Sequence, residues 1–332
     1  MSETLQPFEL RREQLSEKLD ILKQWESLIK ILNGAGILEI LPEKHKLGIV
    51  GIDGKEYPMP RYEEIIKQIT PEQLDILEKK YEQGFSKMLI VPFGMPLEIL
   101  IDRMRRAILS KFIPKEPGSS EPSENSKLLS TDKDGNTIKL SLNYDNETRQ
   151  YSPLYVDDIY KQADFSGRMI YYPETFDENN HQGESKQEIL DEQNRNSDSN
   201  TPGFHIIFVE DNPIIPAKGE NIIKGGRARL EAGLSPKAYL KLLQTDPQYQ
   251  HEQGLTTEDW ITYFITVLEE TNHVIDDYSG QGKACYNIGS YVTADSCVPS
   301  GYWGRSDDQA FLDRGNPSGE DGDVGCRSSV KI

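Results

Sequence analysis

Between residues 15 and 32 the apolar positions Leu15, Leu19, Leu22, Trp25, Leu28, Ile29 and Leu32 recur three and four apart. That spacing puts them on one face of an α-helix and predicts a helix over residues 1–33. The Asn-Gly-Ala-Gly run at 33–36 stops it. Apolar runs on both sides of Asp53-Gly54 predict a β-hairpin, because that pair favours a tight reversing turn. Thr70, Pro71 and Gln73 open the next helix. Thr70 caps the first turn, Gln73 reaches back to it, and Pro71 gives up no helical hydrogen bond there. MLIVPF then reads as a strand and PLEILIDRMRRAIL as a helix.

Residues 114–127, PKEPGSSEPSENSK, are rich in Pro, Ser and Glu and carry no large apolar side chain. They predict a linker between a helix-rich region, 1–113, and a second unit, 128–332. Beyond it the pattern predicts a hairpin around Asp134-Gly135, a strand in MIYYPETF, a polar excursion loop at 177–202 and a strand over His205–Val209. IIKGGRARLEAG has a Gly pair and basic residues but neither GxxxxGK[ST] nor GxGxxG, so it reads as a structural turn into a helix. Ser235-Pro236 starts a short helix. Thr256, with Asp259 at the third helical position, starts a longer one, with Trp260, Phe264, Val267, Thr271 and Val274 on one face. From Gly280 the helical period gives way to short strands and Gly-rich loops, so the fold class predicted is α+β.

Charge narrows the function classes. The formal net charge of −18 repels phosphates and anionic headgroups, so no nucleic acid is expected as a partner. No 18-residue apolar run occurs and the N-terminus lacks the apolar core of a signal peptide. The expectation is no membrane insertion and a cytoplasmic or virion-associated setting. The three cysteines, Cys285, Cys297 and Cys326, are odd in number and form no CxxC pair, which argues against a disulfide framework and a zinc site. His273 and Asp277 stand four apart and would share a face if the helix ran on, a spacing able to hold a metal; a solvated helix end is the plainer account. Neither GxSxG nor HExxH is present, and no His neighbours Cys297 or Cys326. No catalytic residue, metal or cofactor is expected.

The terminal segment differs in composition from the stretch before it. Residues 237–283 hold three Lys, four Glu and five Gln, whereas the equally long 284–330 holds only Gln309 and Glu320 of these types. Strands and tight turns disfavour Lys and Glu, which explains part of the contrast. The replacements explain more: Tyr291, Tyr302, Trp303 and Phe311 are rigid contact surfaces beside the small, adaptable Ser296, Ser300, Gly304, Ser306 and Asp307. Antibody-like binding loops use that mixture.

EETNHVIDDY, GKACYNIGSYVTAD, VPSGYWGR…QAFLDRGNP and the closing GCRSSVKI carry a family likeness. With them the C-terminal third resembles the variable proteins of diversity-generating retroelements, ligand-binding proteins of prokaryotes and their viruses with a C-type-lectin fold. The closing run is similar to the G-x-R-x-x-V ending of that fold class, shared by formylglycine-generating-enzyme-like domains. GIDGKEYPMPRYEEI and LIVPFGMPLE look similar to the N-terminal regions such proteins carry. The resemblance implies a C-type-lectin-like domain over 128–332 preceded by a helix-rich region, with a variable segment at about 287–330. It implies retroelement-guided adenine mutagenesis, in which an AAY codon yields Phe, Tyr, Ser, Cys, Asp, Gly or Arg but never Lys, Glu, Gln, Met or Trp. It also implies no catalysis and a macromolecular, protein ligand.

Carried onto this chain, the ligand-binding, variable positions implied are Val292, Thr293, Asp295, Ser296, Cys297, Ser300, Gly301, Tyr302, Gly304, Ser306, Asp307, Asp308, Phe311, Asp313, Gly315, Asn316, Ser318 and Asp321. Tyr291, Pro299, Trp303, Arg305, Ala310, Leu312, Gly325, Arg327 and Val330 would be framework. Cys326 departs from the aromatic or small residue usual in the closing motif. Two alternatives stand beside this reading: a formylglycine-generating-type oxidase using Cys297 and Cys326, and a structural virion or scaffold protein with a lectin-like decoration.

Overall fold

The computed structural model describes residues 7–165, 167–196 and 201–332. The chain is α+β, with helices and mostly antiparallel strands. The helix expected over 1–33 is two helices, α1 (Pro7–Lys18) and α2 (Ile21–Gly34), and residues 1–6 of that expectation lie outside the described residues. Asp20 separates them with a left-handed backbone, φ 49°. The break changes the helical phase: Leu15, Leu19, Leu28 and Leu32 are buried while Leu22 is left 47% exposed. A small sheet follows, with Val50 opposite Glu56 across the expected Asp53-Gly54 hairpin. After α3 (Tyr62–Gln68), Thr70 and Gln73 cap α4 (Pro71–Glu82) reciprocally at 3.2 and 3.0 Å. Next come β1 (Phe85–Val91) and α5 (Leu97–Lys111).

Residues 114–127 do not divide the fold. The segment closes on the end of α5, with Ser123 N donating to Ile113 O at 2.8 Å and Lys127 N to Lys111 O at 2.8 Å. More decisively, β1 pairs with β5 (His205–Glu210) from His205↔Val91 to Glu210↔Phe85. One hydrophobic cluster includes residues from Leu15 to Ile332. The expected boundary between 1–113 and 128–332 is therefore corrected to a single shared core. A polar, Pro-rich stretch says that a loop is exposed; it does not say whether the elements on its two sides share a core.

Elements of the second half that position the site include, in chain order, β2 (Leu154–Val156), β3 (Met169–Tyr171), β4 (Glu184–Ser185), α6 (Lys186–Arg195), α7 (Pro236–Thr245), β6 (Gln253–Gly254) and α8 (Thr257–Thr271). They end with β7 (Ala284–Tyr286), β8 (Ser290–Val292), β9 (Val298–Gly304), β10 (Gln309–Gly315), β11 (Val324–Cys326) and β12 (Ser328–Lys331). The hairpin expected at Asp134-Gly135 is present. Two expectations are corrected. The excursion at 177–202, whose residues 197–200 lie outside the described ones, contains α6, started by a reciprocal cap between Ser185 and Glu188. The Gly225-Gly226 turn leads into a short strand and not a helix; both glycines have positive φ, 55° and 77°, which suits a hairpin turn.

These strands form sheets ordered β6-β12-β5-β1, β11-β7-β9-β10-β2 and β4-β3-β8. Helix α8 is buried on all sides from Thr257 to Leu268 and supports the second sheet from behind. Buried ion pairs tie distant segments together. Lys80 of α4 meets Glu252, which also takes Arg227 at 2.7 Å, and Arg327 meets Asp276. Among the described residues no helix is long and apolar enough to cross a membrane.

Candidate functional site

The hairpin β9–β10 carries the site. Its side chains alternate between two faces, as a pleated strand requires. Gly301 and Trp303 on β9, with Ala310 and Leu312 on β10, point inward and are buried. Gly301 lies against α8: a Cβ there would sit 2.5 Å from the Trp260 indole, so only glycine lets sheet and helix approach this closely. The turn closes with Asp308 at φ 50°, in the left-handed region that Asp tolerates better than most residues.

The outer face is aromatic. Tyr302 and Phe311 are directly opposite each other, and their rings stack with centroids 4.8 Å apart and planes 3° apart. On β2, Tyr155 is the next cross-strand neighbour of Phe311; its ring is 5.3 Å away and the residue is 43% exposed. On the other side Tyr278 stands 5.9 Å from Tyr302, equally exposed, and its backbone N–H donates to Trp303 O at 3.1 Å. Four rings thus form a row, Tyr155–Phe311–Tyr302–Tyr278.

Carboxylates flank the row. Tyr302 Oη donates to Asp313 Oδ2 at 3.3 Å. Asp307 Oδ2 would stand 3.6 Å from a Cβ on Gly304, where the Phe311 ring edge also lies. Burial pushes the Tyr302 phenol above its ordinary pKa, with Asp313 adding to the shift, so it stays a hydrogen-bond donor. Burial, then Asp307, raises the Asp308 carboxyl. Arg305 is drawn back from this face, with Nε 2.7 Å from Asp277 Oδ2 and Nη2 donating to Thr131 O at 3.0 Å.

The structure brings together Tyr302, Gly304, Phe311 and Asp313 with the turn residues Ser306, Asp307 and Asp308. Thr293, Asp295 and Ser296 form a neighbouring turn, joined to β10 because Asp295 pairs with Arg168 at 2.9 Å and with Arg314 at 3.8 Å. Gly315, Asn316, Ser318 and Asp321 lie on the partly exposed chain leaving β10. Five expected display positions are corrected: Val292, Cys297, Ser300, Gly301 and Gly304 are buried. Val292 and Cys297 exchange backbone hydrogen bonds across a tight turn. Tyr160 Oη donates to the Ser300 and Asp313 carbonyls and closes one end of the hairpin, and the Phe311 ring covers Gly304.

Cys297 and Cys326 pack into different hydrophobic clusters, and both are free thiols. Burial pushes Cys297 up to about 12 and Cys326 well above the ordinary thiol value, so both stay protonated at neutral pH. His273 and Asp277 do not share a helix face, because α8 ends at Thr271 and Asn272 turns left-handed at φ 61°. Asp277 is instead occupied by Arg305 and Ser130.

Two residues that complete the row, Tyr155 and Tyr278, were not singled out from the sequence. The alternating run Leu154-Tyr155-Val156 is a strand signal of three residues, and only its pairing with β10 gives Tyr155 a role. A second omission is a buried charge cluster in which Lys186 lies 2.6 Å from Asp164 and 2.8 Å from Glu258, with Tyr171 Oη donating to Glu258 at 2.7 Å. No family model, curated protein or solved structure matches the chain.

Proposed function

We propose that this chain is a non-catalytic ligand-binding protein of C-type-lectin-like build, and that it binds a protein ligand through the outer face of β9 and β10. The observation that carries the reading is the partly exposed row Tyr155–Phe311–Tyr302–Tyr278, seated on a strand pair whose opposite face is packed at Gly301, Trp303, Ala310 and Leu312. Rigid aromatic side chains lose little entropy on binding and dominate contact energetics, while a rim of small polar residues adapts to the partner. The lectin-like build is supported by the order of parts: a buried helix, then a loop-rich run of short strands, then a terminal strand that returns to pair with β5 at Phe208↔Val330.

On this reading the terminal segment varies by adenine-directed mutagenesis at its exposed positions Asp295, Ser296, Ser306 and Asp307 and at the partly exposed Thr293, Asp308, Phe311 and Asp313. Surface changes of that kind cost within about 0.5 kcal/mol, so the fold tolerates them. The gene and its template copy should then differ at adenines in those codons and agree at Trp303, Leu312 and Val330. Differences spread evenly over the four bases contradict the diversification.

Binding itself is tested by selecting peptides from a random display library on the immobilised protein and mapping them by hydrogen exchange. The reading predicts protection of amides within 298–315. Protection confined to other segments contradicts it.

A further inference from the structure

The aromatic row stands in an uncompensated negative field. Among the described residues Asp307, Asp308 and Asp313 make no ion pair, and the nearby cations are committed elsewhere. Arg305 is held by Asp277, and Arg314 lies 3.3 Å from Asp157 and 3.8 Å from Asp295. Asp307 and Asp313 therefore flank the Tyr302–Phe311 stack with no positive charge between them. Tyr302 and Phe311 stack and cover a face of each other, so a cation meets this site at the carboxylates beside the stack and over the more exposed rings of Tyr155 and Tyr278, whose faces carry negative quadrupole charge. Carboxylates beside such rings reinforce that attraction and repel phosphates. A stacking platform of this kind would otherwise suit single-stranded nucleic acid, and the acids set the choice against it. The net charge of −18 steers basic partners toward the chain from a distance.

The row also has a length. Its centroid steps of 5.3, 4.8 and 5.9 Å match about four or five residues of extended chain, at roughly 3.3 Å per residue.

Resting on the ligand-binding reading above, we propose that the occupant of this face is an extended protein segment bearing arginine or lysine, its cationic side chains pairing with Asp307 and Asp313 beside the Tyr302–Phe311 stack and lying over the exposed rings of Tyr155 and Tyr278. The ligand class is thus a basic peptide stretch. Arginine is favoured over lysine because its planar guanidinium stacks on rings and pairs with carboxylates at once.

The test uses calorimetric titration of the full chain with an Arg-Gly repeat decapeptide and its Gln-Gly and Glu-Gly counterparts, at physiological salt. The Arg-Gly peptide binds; the other two do not. Tyr302→Ala/Phe311→Ala leaves the net charge unchanged and weakens binding at least tenfold, as does Asp307→Asn/Asp313→Asn. Removing two exposed acids elsewhere, by Glu26→Gln/Glu63→Gln, changes affinity less than twofold. Near-ultraviolet circular dichroism checks that each variant keeps its packing. Equal weakening by the remote pair shows mere polyelectrolyte attraction and overturns the inference, and so does absence of Arg-Gly binding. Display-selected peptides that seat on 298–315 yet lack Arg and Lys also overturn it, while leaving the ligand-binding reading intact.

Discussion

Tyr302 and Phe311 stack with their planes within 3° of parallel, on the outer side of two strands whose inner side is closed by Trp303 and Leu312. One hairpin therefore does two jobs with alternate residues. The inward set fixes the strands against α8, and the outward set presents rings and carboxylates. That division makes separate demands on the two sets.

Gly301 is buried and Asp307 exposed, on either side of Tyr302–Gly304. A Cβ at Gly301 meets the Trp260 ring at 2.5 Å, so Gly301→Val overpacks the contact and costs about 1–3 kcal/mol. Asp307 is exposed, and Asp307→Tyr changes stability by no more than about 0.5 kcal/mol. Thermal melting of the two variants checks this. Equal melting temperatures would show that the inner and outer positions are not distinguished.

Stability falls in mild acid through His205. The ring is fully buried, stacked 4.0 Å from Phe93, with Nδ1 3.0 Å from Tyr172 Oη, and Lys331 and Lys186 lie near enough to oppose its charge. Burial first, then those lysines, hold its pKa well below the ordinary 6.5, so it is neutral in the folded chain. The unfolded chain takes up a proton below 6.5 and the folded one does not. Stability from this group is complete above that value and declines by up to about 1.4 kcal/mol for each pH unit below it. His205→Phe keeps the stacking and removes this slope. Denaturant midpoints for both proteins, measured from neutral pH downward, give the comparison; parallel slopes contradict the assignment.

The shared core makes the halves interdependent. The fragment 128–332 lacks β1, which leaves the apolar edge of β5 unpaired. Expressed alone, it should show no cooperative unfolding transition, and the segment 1–113 supplied as a separate chain should restore one. A fragment that melts cooperatively by itself would return the two-domain arrangement.

Local signals in the sequence carried as far as local physics reaches. Thr70 with Gln73, Thr256 with Asp259, and Asp53-Gly54 define their caps and turn within a few residues, and each is present in the structure. Ser185-x-x-Glu188 is the same kind of signal, hidden inside a polar stretch read as a loop. The shared core was not legible, because the pairing of Val91 with His205 joins positions more than a hundred residues apart. The same holds for the site. Tyr302 and Phe311 stood out by composition. Tyr155 and Tyr278 join them only through sheet order and a backbone bridge between Asp277 and Trp303. Alternation also withdrew Gly301 from the display set, since its neighbour Tyr302 faces out.

The most direct test of the central claim is the affinity of the display-selected peptides for the wild-type chain and for Tyr302→Ala/Phe311→Ala. Tyr302 and Phe311 are half-buried and the inner face is left untouched, so the variant should still unfold in one cooperative transition, at a lower temperature than the wild type. Binding should weaken by about tenfold or more for each ring that serves as an anchor, at roughly 1.4–2 kcal/mol apiece. Unchanged affinity in a folded variant would contradict the claim that this aromatic face is where the protein meets its ligand.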